Sequence, residues 1–179
     1  AWYQYTIRRI ADDKTLRNLP LSDAADEEMR FQRTQLLSFS SQLLFPYVES
    51  YYVAALALFV LVKDTNRITD VQLSTLAHKG ALTLHGQKAI DFVHCSCKEN
   101  MQNAIAKFVE LGLVAVERQP SFSYTLMPLL RKDDGAKLMA FIMQVNSFRW
   151  HKASNSTAIM ESINVLRELF VGMTKKAKI

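Results

Sequence analysis

Residues 101–126 read MQNAIAKFVELGLVAVERQPSFSYTL, and this stretch decides the fold. Met101, Ala104, Ile105, Phe108 and Leu111 recur at spacings of three and four, which places them on one face of an α-helix. Gly112 stands where a helix terminates most easily. Leu113-Val114-Ala115-Val116 then reads as a strand and Gln119-Pro120-Ser121 as a turn. Phe122, Tyr124 and Leu126 alternate along a second strand. A helix feeding a β-hairpin, with two helices before it, is the element order of a winged helix.

Upstream, Thr69-Asp70-Val71-Gln72 is a capping-box pattern. It predicts a short helix to about His78, which Gly80 would stop, and a second short helix over Gln87–His94. Farther back, Ser22 with Asp23, Asp26, Glu27 and Glu28 marks a helix start, because acids there suit the positive end of the helix dipole. That helix is expected to reach about Leu44, where Pro46 ends or kinks it. From Thr34 to Val62 the only charged residue is Glu49. The uncharged run behind it, Ser50–Val62, is shorter than the roughly 20 residues of a membrane span, so it reads as a buried core helix. Packing along a membrane interface is the competing reading.

Downstream, Asp133-Asp134-Gly135 begins a helix with Leu138, Phe141, Ile142, Val145 and Phe148 in register. After the polar break 151–157, Ile159, Ile163, Leu166 and Phe170 form a last amphipathic helix. The expected fold is mainly α, a helical domain with a winged-helix-like core and one β-hairpin. It divides into an N-terminal helical connection (1–39), the winged-helix-like domain (40–130), and C-terminal helices with a basic tail (131–179).

The chain has 179 residues, 49% hydrophobic and 22% charged, enough for one well-buried core. Its net charge of +5 is uneven: residues 1–40 are neutral, 41–150 carry +2, and 151–179 carry +3, mostly at Lys175, Lys176 and Lys178. The helix Lys98–Leu111 balances Lys98 and Lys107 against Glu99 and Glu110, and the hairpin balances Glu117 against Arg118. Without a basic footprint the chain is not expected to bind nucleic acid; a winged helix here serves protein packing.

No glycine-rich phosphate cradle and no Gly-x-Ser-x-Gly elbow occurs, and no cofactor is expected. His94, Cys95 and Cys97 are the one cluster with metal-ligand chemistry, but a structural zinc site needs two separated pairs, so two reduced thiols are the reading. His78, His85 and His151 fall at predicted helix ends or loops, as surface or capping groups. Glu49, the lone charge in its stretch, reads as a buried structural acid paired with an arginine or a helix N-terminus. Catalytic, cofactor and metal residues are therefore assigned to none.

Two segments carry a resemblance. Leu43-Leu44-Phe45-Pro46-Tyr47-Val48-Glu49-Ser50-Tyr51 and Asn103-Ala104-Ile105-Ala106-Lys107-Phe108-Val109-Glu110-Leu111-Gly112-Leu113-Val114 resemble the C-terminal region of the glycerol-3-phosphate and dihydroxyacetone-phosphate acyltransferases, over roughly residues 40–130. The resemblance implies a parent that moves a fatty acyl group from acyl-CoA to the sn-1 hydroxyl of a three-carbon phosphate. It implies a His-x-x-x-x-Asp catalytic pair, with the histidine as general base. Five residues beyond His78, His85, His94 and His151 stand Thr83, Ile90, Glu99 and Ser156, so no catalytic residue carries over. The active site is expected upstream of Ala1, in a catalytic domain of the same chain that is this segment's partner. Ala177-Lys178-Ile179 resembles the peroxisomal Ser-Lys-Leu address, which favours the dihydroxyacetone-phosphate member. It implies a peroxisomal import receptor as partner and a membrane-associated, peroxisome-like location, with mitochondrial outer membrane or endoplasmic reticulum as alternatives.

Overall fold

The computed structural model describes residues 23–65, 67–118 and 122–176. Contacts divide the chain into two units, Ala1–Ser41 and Gln42–Ile179. The described part of the first unit is helical. The second unit holds the core.

Helix α1 (Asp23–Leu58) runs through Pro46 without ending there. The sequence expectation of a stop fails because burial outweighs the roughly 3 kcal/mol cost of an interior proline. Every residue from Tyr52 to Leu61 is buried. The Ser50 hydroxyl donates to the Pro46 carbonyl at 2.7 Å, one turn back. A one-turn helix, α2 (Val60–Lys63), follows at once.

Strand β1 (Ile68–Thr69) leads into α3 (Asp70–Gly86). The capping box forms as the sequence predicts: Thr69 Oγ1 accepts from Gln72 N at 3.2 Å, and Gln72 Oε1 from Thr69 N at 3.1 Å. Gly80, however, does not stop the helix. It is buried in the helix interior, and a Cβ there would stand 2.9 Å from Leu166 Cγ. The glycine serves close packing against α7 (Ser156–Lys176). The actual stop lies at Lys88, in the left-handed region at φ 59°, with Ala89 N donating to Leu84 O and Lys88 N to His85 O. That is a Schellman cap without its usual glycine.

The expected helix over 87–94 is replaced by a loop and a 3-10 turn at Val93–Ser96. Helix α4 (Lys98–Glu110) buries Met101, Ala104, Ile105 and Phe108 of the face read from sequence, while Leu111, at the helix's C-terminal cap, is exposed; the helix closes at Gly112 with φ 66°. Strands β2 (Val114–Glu117) and β3 (Ser123–Leu126) form the hairpin, with Val114 opposite Leu126 and Glu117 opposite Ser123. Strand β1 adds antiparallel to the other edge of β3, Ile68 opposite Tyr124, so the sheet order is β1-β3-β2. Two residues are too few to show a period, which is why β1 is absent from the sequence reading.

Helix α5 (Pro128–Arg131) and a 3-10 turn at Asp133–Gly135 precede α6 (Ala136–Asn146). Gly135, at φ 82°, would bring a Cβ to 3.0 Å from Val62, so only glycine fits that approach. Arg131 donates to the carbonyls of Leu61 and Thr65, capping the end of α2. Ile159, Ile163, Leu166 and Phe170 of α7 are all buried in this unit. The fold is mainly α with one hairpin.

Candidate functional site

The polar centre of the second unit is built around Glu49. Its position in α1, one turn before the fully buried run, places the carboxylate inside the core at 0% exposure. A bare carboxylate there would be prohibitively costly, so its oxygens must be satisfied. Asp91 N donates to it at 3.0 Å and Phe92 N at 2.8 Å. Arg149, just after α6 and 3% exposed, places Nη2 at 3.1 Å from Glu49 Oε1.

The guanidinium is held in turn. Arg149 Nη2 donates to Ala89 O at 2.6 Å and Nη1 to Asn146 Oδ1 at 3.2 Å, while its Cζ lies over the Tyr52 ring, 4.3 Å from the centroid. Asn146 bridges onward, accepting from Ala153 N and donating to Ala153 O. Burial pushes the Tyr52 phenol up, and the Arg149 charge offsets part of that rise. Four segments thus meet on one ion pair: α1, the loop after α3, the end of α6, and the turn before α7.

The same network explains the missing helix over 87–94. The N–H groups of Asp91 and Phe92 go to Glu49, and Ile90 O lies 3.3 Å from His85 Nδ1. Side chains from other elements have taken the backbone's hydrogen bonds.

The cysteines separate. Cys95 is buried and its thiol is pushed up to about 12, first by burial and then by the Glu49 charge, with Arg149 opposing. Cys97 is exposed and donates to Glu99, which holds that carboxyl below its usual range. Among the described residues no group of three His, Cys, Asp or Glu side chains is arranged to hold a metal. His78 Nδ1 lies 2.8 Å from Ser96 O, anchoring the 3-10 turn to α3. His151 Nδ1 lies 2.8 Å from Asp91 Oδ1, a pairing across 60 positions that sequence spacing does not reveal.

A histidine–carboxylate pair needs a seated substrate to act as a base. His151 stands 72% exposed, and two surface cavities lie on other residues. One, of about 370 Å³, runs between α3 and α7 over Thr83, Val165, Leu169 and Met173; the other, of about 340 Å³, lies by Phe59, Met139 and Met160. Neither is lined by Glu49, Arg149 or a histidine. The centre's geometry is that of a clamp holding segments together.

The family described as "Glycerol-3-phosphate acyltransferase C-terminal region" matches residues 2–117. The chain belongs to that family. No curated protein and no solved structure matches it. In this acyltransferase C-terminal region the match begins well before the two segments that carried the resemblance, and it includes Glu49, Asp91 and Phe92. Arg149, Asn146 and α7 fall beyond it, yet belong to the same compact unit. Ala177, Lys178 and Ile179 lie outside the described residues.

Proposed function

We propose that this chain is the non-catalytic C-terminal accessory domain of an sn-1 acyltransferase that moves a fatty acyl group from acyl-CoA to dihydroxyacetone phosphate in glycerolipid and ether-lipid synthesis. The family match over residues 2–117 carries the reading. It is supported by the lack of any His-x-x-x-x-Asp block in the sequence and by a polar centre in which the Glu49 carboxylate is taken up by Arg149 and by the N–H groups of Asp91 and Phe92. The partner is then a catalytic domain of the same parent. Leu43 and Tyr47, one turn apart on α1 and at least half exposed, offer apolar surface for such packing.

The order helix, strand, helix, helix, hairpin, with sheet order β1-β3-β2, supports a winged-helix-like core used for packing. Lys107 pairs with Glu110 on α4, which leaves little charge there for phosphates and disfavours the DNA-binding reading. A native C-terminus at Ala177-Lys178-Ile179 would favour dihydroxyacetone phosphate over glycerol 3-phosphate, together with a peroxisome-like, membrane-associated location.

Expression of the parent with and without residues 40–179 tests the accessory role. Loss of soluble, active enzyme on deletion is expected, and unchanged folding and activity would sink it. Turnover on the two acceptors decides between them.

A further inference from the structure

Among the described residues three buried polar side-chain atoms find no protein partner: Tyr52 Oη, Arg149 Nε and Asp91 Oδ2. All three belong to the clamp around Glu49. Asp91 lies toward the surface, its side chain 29% exposed, whereas Tyr52 is 1% and Arg149 3% exposed. A phenol or a guanidinium N–H left unbonded at that depth weakens the folding equilibrium roughly tenfold or more, so each calls for a partner that the chain does not supply. The geometry keeps them from bonding each other. Arg149 Cζ sits over the Tyr52 ring, 4.3 Å from its centroid, whereas the hydroxyl projects from the ring's rim. Nη1 and Nη2 are engaged with Asn146, Ala89 and Glu49, but Nε–H is not. Ser162 of α7, 6% exposed, completes the group. Its hydroxyl donates to Ala158 O at 3.1 Å, which leaves its oxygen free to accept. Both Ser162 and Arg149 lie near enough to the Tyr52 hydroxyl to favour its ionised form against burial.

We propose that one water molecule is bound inside the clamp, accepting from Arg149 Nε–H and bonding Tyr52 Oη and Ser162 Oγ. Charge decides the class of ligand. Glu49 already balances Arg149, so an anion would bring an uncompensated charge into the core, and a cation would meet the guanidinium. A neutral molecule that both donates and accepts suits all three groups, and a buried water with about three polar partners does so. With Tyr52 and Arg149 almost wholly covered, and neither surface cavity lined by them, the site is closed to larger solutes. The water brings α7 itself into the clamp, where it meets α1 and the end of α6 through a polar bridge as well as through apolar packing. Such a bridge is independent of whatever reaction the parent catalyses.

A crystal structure of the full 179-residue chain, at a resolution that orders buried water, tests this. One peak within hydrogen-bond reach of Tyr52 Oη, Arg149 Nε and Ser162 Oγ is expected, with no anomalous signal there after a bromide soak. In solution Arg149 Hε should show a negative Overhauser effect from water, the sign of a molecule that stays longer than the protein takes to tumble. Tyr52→Phe removes one partner and is expected to lower the folding equilibrium constant roughly fivefold in urea unfolding. The two wild-type measurements decide the matter even if that variant fails to fold. Density that joins Tyr52 Oη directly to Arg149 or Ser162, with no peak between them, would overturn the proposal. So would a bromide signal at the site, an Overhauser effect that is absent or positive, or a Tyr52→Phe chain as stable as wild type.

Discussion

Glu49 and Arg149 stand 100 positions apart in sequence and 3.1 Å apart in space, both inside the core. Removing one member of such a pair leaves the other buried and uncompensated, which costs about 3–5 kcal/mol. Glu49→Ala and Arg149→Ala are each expected to destabilise the chain by that amount in urea unfolding. In a double-mutant cycle the second removal should cost much less than the first. Strictly additive losses would mean that the two groups do not act as a pair.

The family match ends at residue 117, but the fold does not. A chain cut there keeps β2 without its hairpin partner β3, Glu49 without Arg149, and Gly80 without Leu166. Residues 1–117 alone are expected to lack a cooperative thermal transition, whereas 1–176 should show one in calorimetry.

Gly80 and Lys88 make opposite predictions. Gly80→Ala gains about 1 kcal/mol of helix propensity. Against that, a Cβ placed 2.9 Å from Leu166 Cγ overpacks the core, at a cost of about 1–3 kcal/mol. A net loss of thermal stability is expected, partly recovered when Leu166→Val is added. Lys88→Gly should instead raise the melting temperature, because it relieves a left-handed residue worth about 1 kcal/mol in an exposed cap.

Cys95 and Cys97 should react differently with a thiol reagent at neutral pH. Cys97 is exposed and should be labelled in the native chain; Cys95 is buried and should wait for unfolding. The Cys95 thiol also sets a pH dependence. Its ordinary value is 9.0 and the fold raises it to about 12, so the unfolded chain loses this proton first. Its contribution to stability is intact below pH 9 and is lost as pH rises from there toward 12. Tyr51, Tyr52 and Tyr124 are also raised by burial and act in the same direction at higher pH. Cys95→Ala should flatten the start of the alkaline limb in denaturation measured between pH 8 and 11.

What sequence reveals here is periodic. The faces of α4 and α7, the hairpin and the capping box were legible because each repeats a spacing or a known cap. What it hides is long-range. Pro46 reads as an end or a kink and Gly80 as a stop by local propensity, yet both helices run on past them under tertiary packing. The stop of α3 fell on a lysine, and the helix expected over 87–94 lost its hydrogen bonds to Glu49 and His85. Glu49 stands out in sequence as a solitary charge. Nothing local names Arg149, Asn146 or Asp91 as its companions, since they arrive from the loop after α3 and from the end of α6.

The role proposed for this domain is to support an acyltransferase by folding, with no side chain touching a reacting atom. Arg149→Met in the full-length parent tests that most directly, with transfer from acyl-CoA to dihydroxyacetone phosphate followed alongside thermal unfolding. The melting temperature and the amount of folded enzyme should fall, while both KM values and the kcat of each folded molecule stay at wild-type level. A changed KM or kcat at undiminished stability would contradict it.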